Sequence, residues 1–311
     1  MKSLIGLNEI EFLWLLKWNG DWLNEISNIF GGRVLIIALD GWTDAGMAST
    51  GAVTYIKDKL ASDLLVSIDD QDYFDLLRQR PIIVLDEHGE RDFVWPSLEL
   101  FGPGPKTPIQ QKDLSLYFLT GQEPALQWQF LITELVEIIE DRDIEAVIML
   151  GSLAAETPHS RAIQVYKNSQ SASVRNALGI ERSNYDGRAG FISVLGHALE
   201  KAGLPTISIW AQVPHYVASM PSPKAALALV NDLEIMLGFT VDHKEILDAA
   251  FEWERSVDSF AEGDEDLLNY IAGLERSRDE AEAEEMTTDQ LALEFEKFLR
   301  QNEGDSEPPK N

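Results

Sequence analysis

The sequence has 311 residues, no cysteine, and 25 basic against 53 acidic residues, a net charge of −28. Without thiols the chain makes no disulfide, Cys-ligated zinc or iron–sulfur site, and it has no cysteine nucleophile. A field of that sign repels nucleic acid and anionic membranes, which both require clustered cations. The composition, 45% hydrophobic and 25% charged, is that of a globular protein with one large core and an appendage.

Residues 1–32 are rich in Leu, Ile and Trp (Trp14, Trp18, Trp22), with apolar positions surrounding a helix instead of striping it. Such an N-terminal extension has to pack against the body or a second subunit. Its apolar run Phe12–Leu16 stops at Lys17 and is preceded by Glu9 and Glu11, so neither a signal peptide nor a membrane span is expected. The uncharged stretch Ala202–Pro223 contains Pro205, Gln212, Pro214 and His215 and reads as a buried strand and loop. A cytoplasmic protein is expected.

From Arg33 strands and helices alternate. Arg33–Leu39 is a continuous apolar run, as in a strand buried on both faces. A turn at Asp40–Gly46 leads into a helix through Lys57, and Leu64–Ile68 is a second strand. Ile82–Leu85 and Asp92–Trp95 read as a hairpin, and Leu114–Leu119 as a strand. Pro124 suits the first position of a helix running to about Ile139. Ala146–Leu150 and Thr206–Val213 are buried strands, with a helix over Gly190–Ala202 between them. Ser222-Pro223 opens a helix that stops before Gly238. This alternation predicts a mostly parallel sheet covered by helices on both faces, with one antiparallel hairpin added.

After Gly238 the composition changes. Residues 241–311 hold 22 acidic and 7 basic residues, −15 of the total charge, with no strand signal. Asp242/Glu245 and Thr287/Gln290 have capping-box spacing, with Val241/Ile246 and Met286/Leu291 as the matching staples. Leu267, Ile271, Leu274 and Leu291, Phe295, Phe298 have i, i+4, i+7 spacing. The organisation expected is an N-terminal extension (1–32), an α/β core (33–240), an acidic helical appendage (241–301) and a polar, disordered tail (302–311).

The sequence has no Walker A loop, HExxH helix or GxSxG elbow. Gly102-Pro103-Gly104 reads as a turn, and the Asp264-Glu265-Asp266 cluster lacks calcium-loop spacing. No cofactor and no metal site is expected.

One ordered set of segments is recognisable: Val34-Leu-Ile-Ile-Ala-Leu-Asp-Gly-Trp-Thr-Asp-Ala-Gly46 with Thr50-Gly51-Ala52-Val53; Tyr73-Phe-Asp75 with Arg80-Pro81; Trp95-Pro96; Pro158-His159-Ser160-Arg161; and Trp210–Ala218 continued by Pro221–Leu229. Together these resemble the proteasome assembly chaperone 2 family over residues 33 to about 238. The resemblance implies a three-layer α/β sandwich related to nucleoside phosphorylases, a helical tail beyond it, and self-association, with a homotrimer among the states it allows. It also makes proteasome subunits candidate partners. Eukaryotic relatives dock through a C-terminal hydrophobic–Tyr–any tripeptide; this sequence ends Pro309-Lys310-Asn311, so docking by that route is not expected.

Ligands of open α/β sheets bind beyond the carboxyl ends of the strands. Three loops leave strands at that edge, Asp40–Gly46, Gly151–Arg161 and Pro214–Ala218, carrying Asp40, Asp44, Glu156, His159, Arg161, His215 and Tyr216. If these converge, they would suit a zwitterionic small ligand or acid–base chemistry near neutral pH. Each has a structural alternative. Asp44 stands where it could cap the next helix, with Gly41 and Gly46 supplying turn dihedrals, and Asp40 could hold the loop by Asx bonds. Glu156, His159 and Arg161 could form a salt-bridged turn, and His215 could be a buried, hydrogen-bonded ring. Ser152 lacks the elbow a nucleophile needs. Trp42, Trp95 and Trp210 read as core or interface aromatics. Lys224, at a helix start, calls for an anionic contact. The acidic helices read as a solvated face, or as a surface for a basic partner. The reading favoured overall is a non-enzymatic assembly or interaction protein. The alternative is an enzyme or sensor of a nucleoside-like or amino-acid-like ligand in that crevice.

Overall fold

A computed structural model describes residue 26 and residues 28–107, 114–180 and 182–303, with side chains as far as Glu284. The central strand β1 (Arg33–Asp40) sets the architecture. Val34, Ile36 and Ala38 face one core layer and Leu35, Ile37 and Leu39 the other, all fully buried. An unbroken apolar run needs cover on both sides, and helices supply it.

The elements that follow are α1 (Ala48–Lys59), β2 (Asp63–Ile68), β3 (Ile82–Leu85), β4 (Arg91–Val94), β5 (Leu98–Gly102) and β6 (Ser115–Gln122). Then come α2 (Trp128–Glu140), β7 (Ala146–Ala155), β8 (Val165–Asn168), α3 (Ala172–Leu178), α4 (Phe191–Lys201) and β9 (Thr206–Pro214). The chain continues through α5 (Pro223–Leu237), α6 (Lys244–Ala261) and α7 (Glu265–Glu303). Seven strands form one sheet in the order β2-β5-β6-β1-β7-β9-β8. β6, β1, β7 and β9 run parallel, while β2, β5 and β8 join antiparallel at the margins. α1 packs on α5 over one face, and α2 on α4 over the other. This is the expected three-layer sandwich, a mostly parallel sheet between helices, with helices appended at its C-terminal end.

Several local readings need correction. β3 and β4 pair in register (Ile82 with Val94, Leu85 with Arg91) but form a separate two-stranded ribbon, not a sheet margin. The margin instead uses β5, which ends at Gly102, and β8, four residues without a two-residue period. Pro124 does not open α2. The helix begins at Trp128 after Gln127 in the left-handed region, and Trp128 Nε1 donates back to the Pro124 carbonyl (2.7 Å). Ser222 precedes α5 with Pro223 at its first turn, and Gly238 ends it at φ +70°. A glycine is required there, because a Cβ is disfavoured in that conformation.

Ile26 and Phe30, at the end of the N-terminal extension, are buried in the α1/α5 layer; residues 1–25 lie outside the described residues. α6 buries Ile246, Ala250, Trp253, Val257 and Ala261, one face at helical spacing. Ile246 joins the main core, while Trp253 and Val257 close on Val217 beyond β9. The Asp242/Glu245 capping box does not form: Asp242 Oδ1 accepts from Lys244 N (3.1 Å), and Glu245 instead pairs with Lys59 (2.8 Å). Ile271 is buried and Leu267 and Leu274 are half-buried, so that stripe faces inward. The second capping box, the Met286/Leu291 staple and the Leu291–Phe298 stripe lie beyond Glu284, the last residue whose side chain is described, and the tail beyond Glu303 lies outside the described residues. Among the described residues no helix is long and apolar enough to cross a membrane.

Candidate functional site

Because β1, β7 and β9 are parallel, the three loops singled out from the sequence leave the sheet at one edge. The β1 loop is consumed by local structure. Asp44 is buried, and its carboxylate accepts from Ser49 N (2.8 Å), Ser49 Oγ (2.6 Å), Thr50 N (3.2 Å) and Thr50 Oγ1. It therefore satisfies the free amides of α1 and balances the positive end of that helix. Gly46 (φ +63°) is the crossing point of two loops: its N–H donates to Ala218 O and its carbonyl accepts from Ser222 N, both at 2.7 Å. A Cβ there would lie 2.9 Å from Ser222 Cβ. Ser152, fully buried, donates its hydroxyl to Ala45 O (2.7 Å) and its backbone N–H to Thr43 O (2.8 Å), an architectural role.

The other two loops meet each other and then the C-terminal helices. The buried His159 ring sits between the Tyr216 hydroxyl (Nδ1, 2.8 Å) and Asp258 of α6 (Nε2, 3.0 Å). Its backbone N–H also donates to the Tyr216 hydroxyl (2.9 Å). The Asp258 carboxylate only accepts, so Nε2 is the donor, and the neutral tautomer that meets it accepts at Nδ1 from the Tyr216 hydroxyl. Burial pushes the Tyr216 phenol up to about 12, an effect the His159 amide partly offsets. Such a phenol is a structural hydrogen-bonding group and not a base near neutral pH.

Arg161 forks onto α7. Its Nε and Nη2 reach the two oxygens of Asp279 (2.7 and 2.9 Å), and Nη1 reaches Glu275 (3.2 Å). The guanidinium holds the Asp279 carboxyl below its ordinary range, and Arg161 is itself raised by the same bonds. Ser160 adds a bond to Glu275, while Lys224 Nζ donates to His159 O (2.6 Å) and pairs with Glu254 of α6. The anion that Lys224 required is thus supplied by this chain.

Asp40, Glu156 and His215 stay exposed. The Asp40 carboxyl is raised by partial burial and by the nearby Asp44, and the carbonyl of Asp40, not its carboxylate, ties the loop by accepting from Glu123 N (2.8 Å). His215 is not the buried ring its setting after Pro214 suggested; it stands edge-to-face against Tyr216 and Tyr270 (5.5 Å each). Of the seven candidates, His159, Arg161 and Tyr216 therefore join one network with the C-terminal helices, Asp44 serves a separate one, and three face solvent. Clefts open elsewhere: one beside α4 is lined by Arg182, His197 and Lys201, another over α1 by Tyr55, Lys59 and Glu245. Among the described residues no cluster of three or more His, Asp or Glu side chains is placed to hold a metal. Trp42 and Trp95 are exposed, 65% and 44%, and not core aromatics.

Sequence reasoning missed the far halves of these pairs. Glu275 and Asp279 stand four apart on one helix face, a spacing that fits one guanidinium, but it is lost in a uniformly acidic segment. Glu123, just beyond β6, was missed too. It accepts from Phe191 N (2.8 Å) at the start of α4 and from Trp42 N (3.4 Å), holding the β1 loop to the opposite layer.

The geometry defines an α/β sandwich whose carboxyl edge is closed by its own C-terminal helices. The chain belongs to the PAC2 family, whose pattern matches residues 38–261. It is similar to the Mycobacterium tuberculosis proteasome-assembly chaperone homologue Rv2125, with 32% identity and a TM-score of 0.67 over 76% of this chain and 99% of that one. A PAC2 family protein from Streptomyces avermitilis is equally similar at 32%, TM-score 0.68, over 77% of this chain and 99% of that one. The Pyrococcus furiosus archaeal proteasome activator PbaB, 13% identical with a TM-score of 0.58 over 73% of this chain and 93% of that one, shares the fold. Among curated proteins none matches.

Proposed function

We propose that this chain is a non-enzymatic, cytoplasmic assembly or interaction protein: a self-associating scaffold of the proteasome-assembly-chaperone kind, with proteasome subunits as its first candidate partners. In this reading residues 33–240 are the scaffold and 241–301 an acidic cap, flanked by the 1–32 extension and the 302–311 tail. The supporting observation is that His159, Arg161 and Lys224 are committed to Asp258, Glu275, Asp279 and Glu254 of the cap, with Tyr216 holding the His159 ring from the other side. Side chains held this way position helices; they do not await a substrate. Relatives whose names refer to the proteasome give the choice of partner.

The competing reading, an enzyme or sensor of a nucleoside-like or amino-acid-like ligand, draws on the exposed trio Asp40, Glu156 and His215. One experiment separates the two. The purified chain is mixed with recombinant proteasome α and β subunits of its own source, ring assembly is followed by native mass spectrometry, and thermal shift is screened in parallel with nucleosides and amino acids. Faster or more complete assembly with a flat screen is expected. No effect on assembly, together with a saturable shift that His215→Ala removes, would overturn the proposal.

A further inference from the structure

The sheet carries an apolar row on each face of its β2 side. Register sets Ile36 of β1 beside Phe118 of β6, Phe118 beside Phe101 of β5, and Phe101 beside Leu64 of β2. Paired residues share a face, so these four form one row on the α1/α5 side. The adjacent row, Ile37, Leu119, Leu100 and Val66, lies on the opposite face.

The two rows are covered differently. α2 closes the second: Leu119 and Leu100 are buried, Val66 is half-buried, and Leu131 and Leu135 of α2 belong to the same cluster. On the α1/α5 side burial falls away along the row. Ile36 and Phe118 are fully buried, Phe101 is half-buried with Lys57 Nζ 4.3 Å from its ring, and Leu64 is 52% exposed. α1 packs over β6, β1 and β7, and α5 over β9 and β8. The uncovered part of this layer is therefore over β5 and β2, and a mostly parallel sheet needs cover on both faces.

The same layer buries Ile26 and Phe30, where residues 1–25 lead into β1. Counting back from Phe30 and Ile26 at helical spacing gives Trp22 and Leu23, Asn19, Leu15 and Leu16, then Phe12. The face that is buried at Ile26 and Phe30 thus continues in the sequence as an apolar stripe that Asn19 alone interrupts. The dimensions agree. Two strands are about 10 Å wide, the separation of two packed helices. β5 and β2 have five and six residues, roughly 17–20 Å, which about twelve helical residues span.

We propose that residues 12–23 lie beside α1 over β5 and β2 of their own chain, with Phe12, Leu16 and Leu23 turned towards Phe101 and Leu64. The N-terminal extension then completes the sandwich on the face that α1 and α5 leave partly open, and its partner is the body of the same chain.

The chain has no cysteine, so introduced pairs can be crosslinked without background. Leu64→Cys is combined in the full chain with Leu23→Cys or with Leu16→Cys, treated with a short bismaleimide and weighed as intact protein. The control combines Leu23→Cys with Thr133→Cys, an exposed position of α2 across the sheet. At least one Leu64 pair should close within a single chain about tenfold or more faster than the control. Closure no faster than the control would overturn the proposal. Links that form only between chains, seen on mixing single variants, would give the strip to a second copy and overturn it too. Hydrogen exchange of full-length Leu23→Asp supplies a readout without cysteines: amides of β2 should exchange about tenfold faster while those of β7 and β9 keep wild-type protection. Unchanged exchange in β2 would count against the placement as decisively as a failed crosslink.

Discussion

The carboxyl edge of the sheet and the β3–β4 ribbon differ in how each satisfies its side chains. At the edge, cations from the core loops meet carboxylates from α6 and α7 and the buried ring of His159 has both nitrogens bonded, so these charged groups and this ring are satisfied within one chain. On the ribbon, apolar residues and the cation Arg80 face solvent. Groups satisfied internally build the molecule, and groups left open point to what it meets. The comparison also changes the meaning of the charge: the acidic helices are partly a counter-surface for the core and not simply a solvated face.

The largest effect should follow from Trp253→Ala, which removes the side chain that closes α6 on Val217 and flanks His159. A loss of about 3 kcal/mol in denaturant unfolding is expected; a loss below 1 would mean that α6 rests only loosely on the core. Asp44→Ala should cost about 2 kcal/mol, because four donors at the start of α1 lose one acceptor. If the variant instead unfolds normally and loses binding of a small molecule, Asp44 belongs to a ligand site.

The pH dependence has two arms. Asp279 is held below the ordinary carboxylate range by Arg161. Its contribution is complete above about pH 4 and is lost as pH falls through its lowered value, loosening α7 first. Tyr216 is pushed up to about 12, so its contribution is complete below about pH 10 and fades as pH rises towards 12. A melting temperature flat across both windows would deny these two contacts any weight. The smallest effect belongs to the ribbon: Ile83→Thr should change the unfolding free energy of the single chain by no more than about 0.5 kcal/mol, because little in the same chain packs on it. A large loss would show that the ribbon is held internally.

Much of this architecture was legible in the sequence where one physical rule dominated. Arg33–Leu39 could only be a strand with two buried faces, and Gly238 could end α5 because its left-handed backbone suits glycine. Short elements with no period, β8 and α3, gave no signal because neighbours decide them. At the edge, sequence indicated which loops share a side, and Asp44 as a helix cap, but not that Arg161 would be met from 118 residues away by Asp279. Long-range charge pairs leave no local trace. His215, expected to be buried, is exposed because the turn after Pro214 directs Val217 inward in its place.

The central claim is that the charged loops at the carboxyl edge hold the C-terminal helices. Hydrogen exchange by mass spectrometry on Arg161→Ala tests it most directly. Arg161 is only partly buried, so the global loss should stay within about 1 kcal/mol, while amides of α7 between Glu265 and Glu284 lose protection and those of β1 and β7 keep theirs. Unchanged protection in α7 would contradict the account and return Arg161 to the list of side chains awaiting a ligand.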